Sequence, residues 1–329
     1  MNKKSFVFSI VLSLLIIFSS ITSAAAKRPP VSPTAILLTS GLEGGSGSTI
    51  GPDGALYVTE GLAGRVSRVD PQTGEITTFA SGLPLRNPAI GIGGAMDVAF
   101  LDGTAYVLVT LVGPDVGGSD IVGIYRVDGP DSFTVIADIG QWAIDNPPGT
   151  DFAVPSGVQY AMQPYKDGFL VTDGHHNRVL RVRLNGEVSE LIAFDNIVPT
   201  GLALSGNKVY MAQAGPVPHL PEAGKVVSFK VKKPTAVDVA SGAPLLVDVE
   251  FGSGRTLYAL SQGHFSGGDP GSPADPDTGS LVKVNKNGTF TTIIEGLDRP
   301  TSLEFIGNTA YVVTLDGEIW KIVGIEGGH

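Results

Sequence analysis

The feature that most constrains this chain is a unit that recurs about six times along its 329 residues. The copy at Thr200–Lys230, led in by Val198-Pro199, displays its parts. An apolar run starts at Gly201 and ends at Leu204, and a tight turn follows at Ser205-Gly206-Asn207-Lys208. A second run carries a tyrosine (Val209-Tyr210-Met211-Ala212), and after a loop a third places apolar residues at Val226, Val227, Phe229 and Val231. Short apolar runs separated by Gly, Pro, Asn and Asp read as strands and turns. A spacing of about 50 residues lies at the upper end of the range for propeller blades. The 44 Gly, 23 Pro and 16% charged residues suit many short strands, and helical periodicity is absent after the N-terminal segment.

Counting units along the chain predicts an all-β, six-bladed β-propeller of four-stranded blades. Unit one runs Gly47–Ala80, unit two Gly94–Ile139 and unit three Val154–Phe194, where Asn185-Gly186 is the strongest hairpin signal. Unit four reaches about Ala240, unit five covers Leu245–Ile294, and unit six is Thr301–Val323 with three runs only. Thr34–Ser40 (TAILLTS) resembles the fourth run of the other units. It is predicted to pair beside Glu318–Val323 and close the ring, which removes the exposed sheet edges that invite aggregation. A seventh blade would need strands hidden in Gln141–Asp151, and Asn146-Pro147-Pro148-Gly149 argues against them.

The N-terminus reads as a secretory signal over residues 1–26: Lys3 and Lys4, an apolar stretch from Phe6 to Phe18, then Ala24-Ala25-Ala26. The apolar stretch is shorter than the roughly 20 residues that span a bilayer, so no integral membrane segment is expected after cleavage. The expected location is therefore secreted, periplasmic or otherwise extracytoplasmic. Residues 27–33 form a lead-in, 34–326 the propeller and 327–329 a tail. With no cysteine, stability has to come from core size and ring closure. The formal charge of −10 becomes −12 once Lys3 and Lys4 are removed, which disfavours nucleic acid and anionic membranes as partners.

Loop lengths divide the two faces. Turns between first and second strands are short, as at Asp53-Gly54, Asp102-Gly103, Asp167-Gly168, Gly206-Asn207 and Gly307-Asn308. The opposite face is predicted to collect the long loops: Pro84–Gly94, Val112–Ile121, Gly140–Val154, Ala214–Gly224 and Gln262–Gly279. Insertions confined to one face point to a lined mouth over the central channel, because long loops on a rigid scaffold usually carry function.

Several words resemble those of the ScyD/ScyE family of exported propeller proteins. They are VPTG (198–201) followed by GPVP (215–218) and GKVVSF (224–229), GPDGALYVTEGLAGRVSRVD (51–70), PSGVQY (155–160) with LVTDGHHNRVLRV (170–182), and LYALSQG (257–263) with GSLVKVNKNGTFTTIIEGLDRPTSLEF (279–305). The resemblance covers essentially the whole mature chain. It implies a propeller and export, and no established reaction. Related words occur in NHL-like and gluconolactonase-like propellers. The sequence departs from the family pattern at His175-His176, where Gly-Gly is usual, and at Glu43-Gly44-Gly45-Ser46, which lacks a proline.

Candidate chemistry gathers where the second strands meet the long-loop face. Glu60 and Asp173 end two of those strands, with Gln213 at the equivalent place in unit four. The two carboxylates are candidate ligands for Ca2+ or another divalent cation, as in lactonase-type propellers; the alternative is that they accept strand-end amides. His175, His176, His219 and His264 fall in the second-to-third-strand loops of three consecutive units. There they offer a base or a metal ligand, or are ordinary loop histidines. Asp269, Asp275 and Asp277 resemble half a calcium loop without its closing glutamate, and read otherwise as an acidic surface loop. Asn287-Gly288-Thr289 is a glycosylation sequon or a plain turn. Trp142, Tyr160, Tyr165 and Phe265 are expected near the mouth, whereas Tyr57, Tyr106, Tyr210, Tyr258 and Tyr311 recur at one strand position and are expected to pack between blades. No P-loop, nucleophile elbow or dinucleotide motif is present.

Three functions follow in order. The first is an exported binding or interaction scaffold that takes a protein or small molecule on its long-loop face. The second is a metal-dependent hydrolase of lactonase type. The third is a quinoprotein-like dehydrogenase, which needs clustered basic groups where only Arg86, Arg178 and the histidines are available.

Overall fold

The computed structural model describes residues 32–217, 219–220, 222–268 and 272–325. The signal segment, nearly all of the lead-in, Asp269 and the tail at 327–329 lie outside them. Six four-stranded antiparallel sheets make up the described chain. Blade one is Gly45–Ile50, Leu56–Glu60, Arg65–Val69 and Ile76–Ser81, and blade two is Gly94–Leu101, Thr104–Thr110, Gly123–Gly129 and Ser132–Asp138. Blade three is Gln159–Pro164, Gly168–Asp173, Arg178–Arg183 and Val188–Ala193, and blade four is Pro199–Ser205, Lys208–Gln213, Gly224–Lys230 and Lys233–Ala243. Blade five is Leu246–Phe251, Leu257–Ser261, Gly279–Val284 and Phe290–Leu297. In blade six, Pro300–Ile306, Thr309–Thr314 and Ile319–Val323 are joined by Thr34–Thr39 as outermost strand, with Thr34 opposite Val323 and Leu37 opposite Trp320. The predicted six-bladed propeller and its closure by the N-terminal strand are what the chain adopts.

The core lies in six wedges between neighbouring blades. Leu108, Ile124, Phe169 and Leu180 fill the wedge between blades two and three, and Leu56, Val58, Val313 and Ile319 fill the one between blades six and one. Each strand alternates its side chains between the two faces of its blade, so every blade feeds two wedges. Burying each such side chain contributes about 1.5–3 kcal/mol. The repeating tyrosines sit in these wedges as expected: Tyr57 meets Phe79 and Phe100 edge-on at 4.9 and 4.8 Å, and Tyr210 meets Phe251 at 5.2 Å.

The long loops do share one face. The segment that would have hidden a seventh blade contains a helix, Ile139–Asp145, whose first turn is capped by Asp138 accepting the Gln141 amide at 2.8 Å. Both Ile139 and Ala143 bury themselves beneath it.

Candidate functional site

Glu60 and Asp173 occupy equivalent places, each the last residue of a second strand facing an arginine that opens the third: Glu60 opposite Arg65, Asp173 opposite Arg178. The Glu60 carboxylate accepts from Arg65 Nε and Nη2 at 2.8 Å each, from Ser67 Oγ at 2.5 Å and from the Glu43 amide at 2.6 Å. Asp173 Oδ2 takes Arg178 Nε at 3.0 Å, while Oδ1 takes the Val158 amide at 3.1 Å and Gln159 Nε2 at 3.3 Å. Both partners of the second pair are essentially inaccessible, at 1% and 0% side-chain exposure, so this is a fully desolvated ion pair.

His176 belongs to that same buried network. Its Nε2 lies 2.9 Å from the Val154 carbonyl, and its Nδ1 lies 3.0 Å from both Arg178 Nη2 and Asp173 Oδ2. Arg178 Nη1 reaches the Asn146 carbonyl at 2.7 Å, and its guanidinium stacks 4.8 Å from the Trp142 ring. Gln213 is buried at the end of its strand. Tyr165, expected at the mouth, is at the other end of blade three. It precedes the Lys166-Asp167 turn there, its amide donates to the Gly168 carbonyl at 2.8 Å, and its ring takes Arg181 at 5.2 Å.

The mouth itself holds a recess of about 80 Å3. Val158, Val198, Leu245 and Val247 supply apolar walls, and His175 and His219 project from the equivalent loops of blades three and four. Burial lowers the His175 pKa. Burial, with His175 nearby, lowers His219 to about 4. His219 is therefore neutral at pH 7, because taking a charge out of water disfavours the protonated ring. His219 packs edge-on to Phe265 at 5.6 Å, and its buried Nδ1 has no hydrogen-bond partner among the described residues. His264 lines an adjoining groove of about 260 Å3 that shares His219 and Leu245 with the recess. Of the residues expected at the mouth, the recess brings together His175, His219 and Tyr160; Glu60, Asp173 and Gln213 are not in its wall.

Tyr160 forms the floor. It lines both the recess and a central channel cavity of about 270 Å3 toward the short-turn face, and its hydroxyl donates to the Thr301 carbonyl of blade six at 3.3 Å. Beneath it four acidic residues on the innermost strands line the channel: Asp97, Asp248, Glu250 and Glu304. Burial raises Asp97 and Glu304 well above the carboxylate range, Asp248 to about 7 and Glu250 to about 8. Burial, followed by the charges of Asp248 and Asp97, raises the Tyr160 phenol, so it stays a donor.

Two of these acids have a structural task. An innermost strand leaves one row of amides without a strand partner, and buried amides need acceptors. Asp97 accepts the Val98 amide at 2.8 Å and crosses to the Met162 amide of blade three at 2.7 Å. Three blades on, Asp248 repeats this with Val249 at 2.8 Å and Leu303 of blade six at 2.7 Å. Glycine is required beside each: a Cβ on Gly47 or Gly201 would lie 2.2 Å from the Oδ1 of Asp97 or Asp248. The channel acids were not singled out from the sequence, yet they carry a signal. Asp97-Val98-Ala99-Phe100 and Asp248-Val249-Glu250-Phe251 place acids inside otherwise apolar runs.

A divalent cation does not fit Glu60 and Asp173, whose oxygens are already committed to guanidinium, hydroxyl, amide and side-chain donors. Among the described residues no group of three or more His, Asp and Glu is placed to hold a metal ion. Nor is any described helix long and apolar enough to cross a membrane.

No protein-family profile and no curated protein matches this chain. Solved structures match its fold. A gluconolactonase from Xanthomonas campestris is 12% identical, with 88% of each chain covered and a TM-score of 0.61. A luciferin-regenerating enzyme is 11% identical, covering 90% of this chain and 98% of its own, also at 0.61. The PQQ-bound aldose sugar dehydrogenase of Streptomyces coelicolor is 14% identical, covering 90% and 99%, at 0.58. At such identities the likeness is one of fold: this chain is a six-bladed β-propeller with gluconolactonase-like structural neighbours.

Proposed function

We propose that this protein is an exported propeller that binds a small molecule at the mouth of its channel on the long-loop face. The observation that carries the reading is the recess walled by Val158, Val198, Leu245 and Val247, floored by Tyr160 and presenting two imidazoles. A concave, mostly apolar site with a few convergent polar groups is the usual form of a ligand pocket. The basic and apolar N-terminal segment supports export, and so does the resemblance to the ScyD/ScyE family of exported propellers. The test is retention of small molecules from culture medium, compared by mass spectrometry between the wild type and Ala214→Trp, which fills the recess. Compounds held by the wild type and lost by the variant support the reading; identical sets from both proteins overturn it.

A second reading, a lactone hydrolase, draws on the gluconolactonase fold neighbour and on neutral His219 at the mouth. In that reaction the imidazole would accept a proton from water as the oxygen attacks the lactone carbonyl. The ring C–O bond would then break, and the imidazolium would give its proton to the departing alkoxide, leaving a hydroxy acid and the neutral imidazole. The oxygens of Glu60 and Asp173, already taken by protein donors, offer this reaction no metal site. Lactone opening followed by acid release, with and without a chelator, tests it: turnover abolished by His219→Gln and indifferent to the chelator is the supporting result.

A further inference from the structure

Resting on the binding reading above, we propose that the mouth recess selects the uncharged end of its ligand: a small ring or branched aliphatic group bearing one hydroxyl or carbonyl, hydrogen-bonded by His175 and His219. Among the described residues the wall contains no Asp, Glu, Lys or Arg. A charged group entering it would give up its hydration without gaining an opposite charge, which is strongly unfavourable. The acids of the channel do not alter this. They lie beneath Tyr160, whose ring separates the two cavities, and burial favours their protonated, uncharged forms.

The polar residues in the described wall, His175 and His219 with Thr200, Gln262 and Ser272, suit a neutral partner. A neutral imidazole offers one donor and one acceptor, so the pair can serve either a hydroxyl or a carbonyl. The orphaned Nδ1 of His219 needs a partner, because an unmatched buried polar atom is costly. Phe265 steadies that ring edge-on. At about 80 Å3 the recess takes only one end of a ligand, and the groove of about 260 Å3 beyond His219 and Leu245 has space for the remainder.

The experiment is a proton NMR titration of the histidine rings in the purified protein. The chain has five histidines, so the ring signals can be resolved, and His175→Gln and His219→Gln assign the two that matter. The probes share one ring: benzyl alcohol, benzoate and benzylamine, with zinc chloride as a fourth. The expected result is saturable shifts of the His175 and His219 signals with benzyl alcohol, at concentrations at least tenfold below those needed for either charged probe, and loss of those shifts in Ala214→Trp. Equal or tighter response to benzoate or benzylamine overturns the selectivity while leaving the mouth as a binding site. Stoichiometric zinc binding that blocks benzyl alcohol assigns the imidazoles to a metal and overturns it too. No response to any probe overturns this inference alone; the retention experiment with Ala214→Trp judges the broader reading separately.

Discussion

The Tyr160 hydroxyl of blade three donates to the Thr301 carbonyl of blade six, directly across the ring, at 3.3 Å. One side chain thus spans the channel and divides an apolar mouth from an acidic interior. Tyr160→Phe, which keeps the ring, is expected to cost about 1 kcal/mol through the lost hydrogen bond. Tyr160→Ala, which removes the partition, is expected to cost about 3 kcal/mol or more. Urea denaturation of both variants measures the difference; equal losses would mean that the ring contributes nothing beyond its hydroxyl.

Asp97 and Asp248 clasp neighbouring blades through the amides of Met162 and Leu303. Replacing either by alanine leaves two amides without an acceptor, since each acid also serves its own next residue. The expected loss is about 2–6 kcal/mol per site, from roughly 1–3 kcal/mol for each of the two unsatisfied buried donors. The two acids line one channel cavity and the Asp248 charge acts on Asp97, so the double variant should depart from additive losses in denaturant titration.

Arg178 is expected to be the least replaceable basic residue among those described. Arg178→Leu strands the Asp173 carboxylate in a site with no exposure, at a cost of about 3–5 kcal/mol. The double change Asp173→Leu with Arg178→Leu removes the uncompensated charge and should recover a large part of that loss. A double variant no more stable than Arg178→Leu alone would show that backbone contacts of Asp173, not its charge, dominate.

Stability should fall as pH rises from 6.5 to 8.5. The Asp248 and Glu250 carboxyls titrate near 7 and 8 in the folded protein, against about 4 for such groups in an unfolded chain. Between those values the folded state holds protons that the unfolded state has released, so raising the pH favours unfolding. His219 acts in the opposite sense at lower pH. Its folded value near 4 lies below the unfolded 6.5, so acidification through that window favours unfolding as well. Melting curves should therefore lose several degrees between pH 6.5 and 8.5, and Asp248→Asn with Glu250→Gln should flatten that slope.

Deleting Thr34–Thr39 should open the ring. The Ile319–Val323 strand would then present an unpaired edge. Sedimentation should show a larger share of dimers and higher species than the full chain gives; a truncation equal to the full chain in size distribution and stability would show that closure by this strand is dispensable.

The repeat made the architecture legible. Apolar alternation, turn words and the orphan TAILLTS run specify six blades and their closure, because each is a local or nearest-neighbour property. The segregation of long loops, and with it the face that carries His175 and His219, follows from the same bookkeeping. What the tertiary structure alone decided is which polar groups meet. Glu60 and Asp173 stand at strand ends as expected, but the arginines five residues later turn inward and occupy them. Asp97 and Asp248 look like stray acids in apolar strands until the packing of the next blade brings Met162 and Leu303 against them. Tyr160 is one aromatic among several until the ring sets Thr301 opposite. The Tyr160–Thr301 bond across the ring joins residues 141 positions apart, and no periodicity along the chain encodes that pairing, since it depends on the radius and tilt of all six blades together.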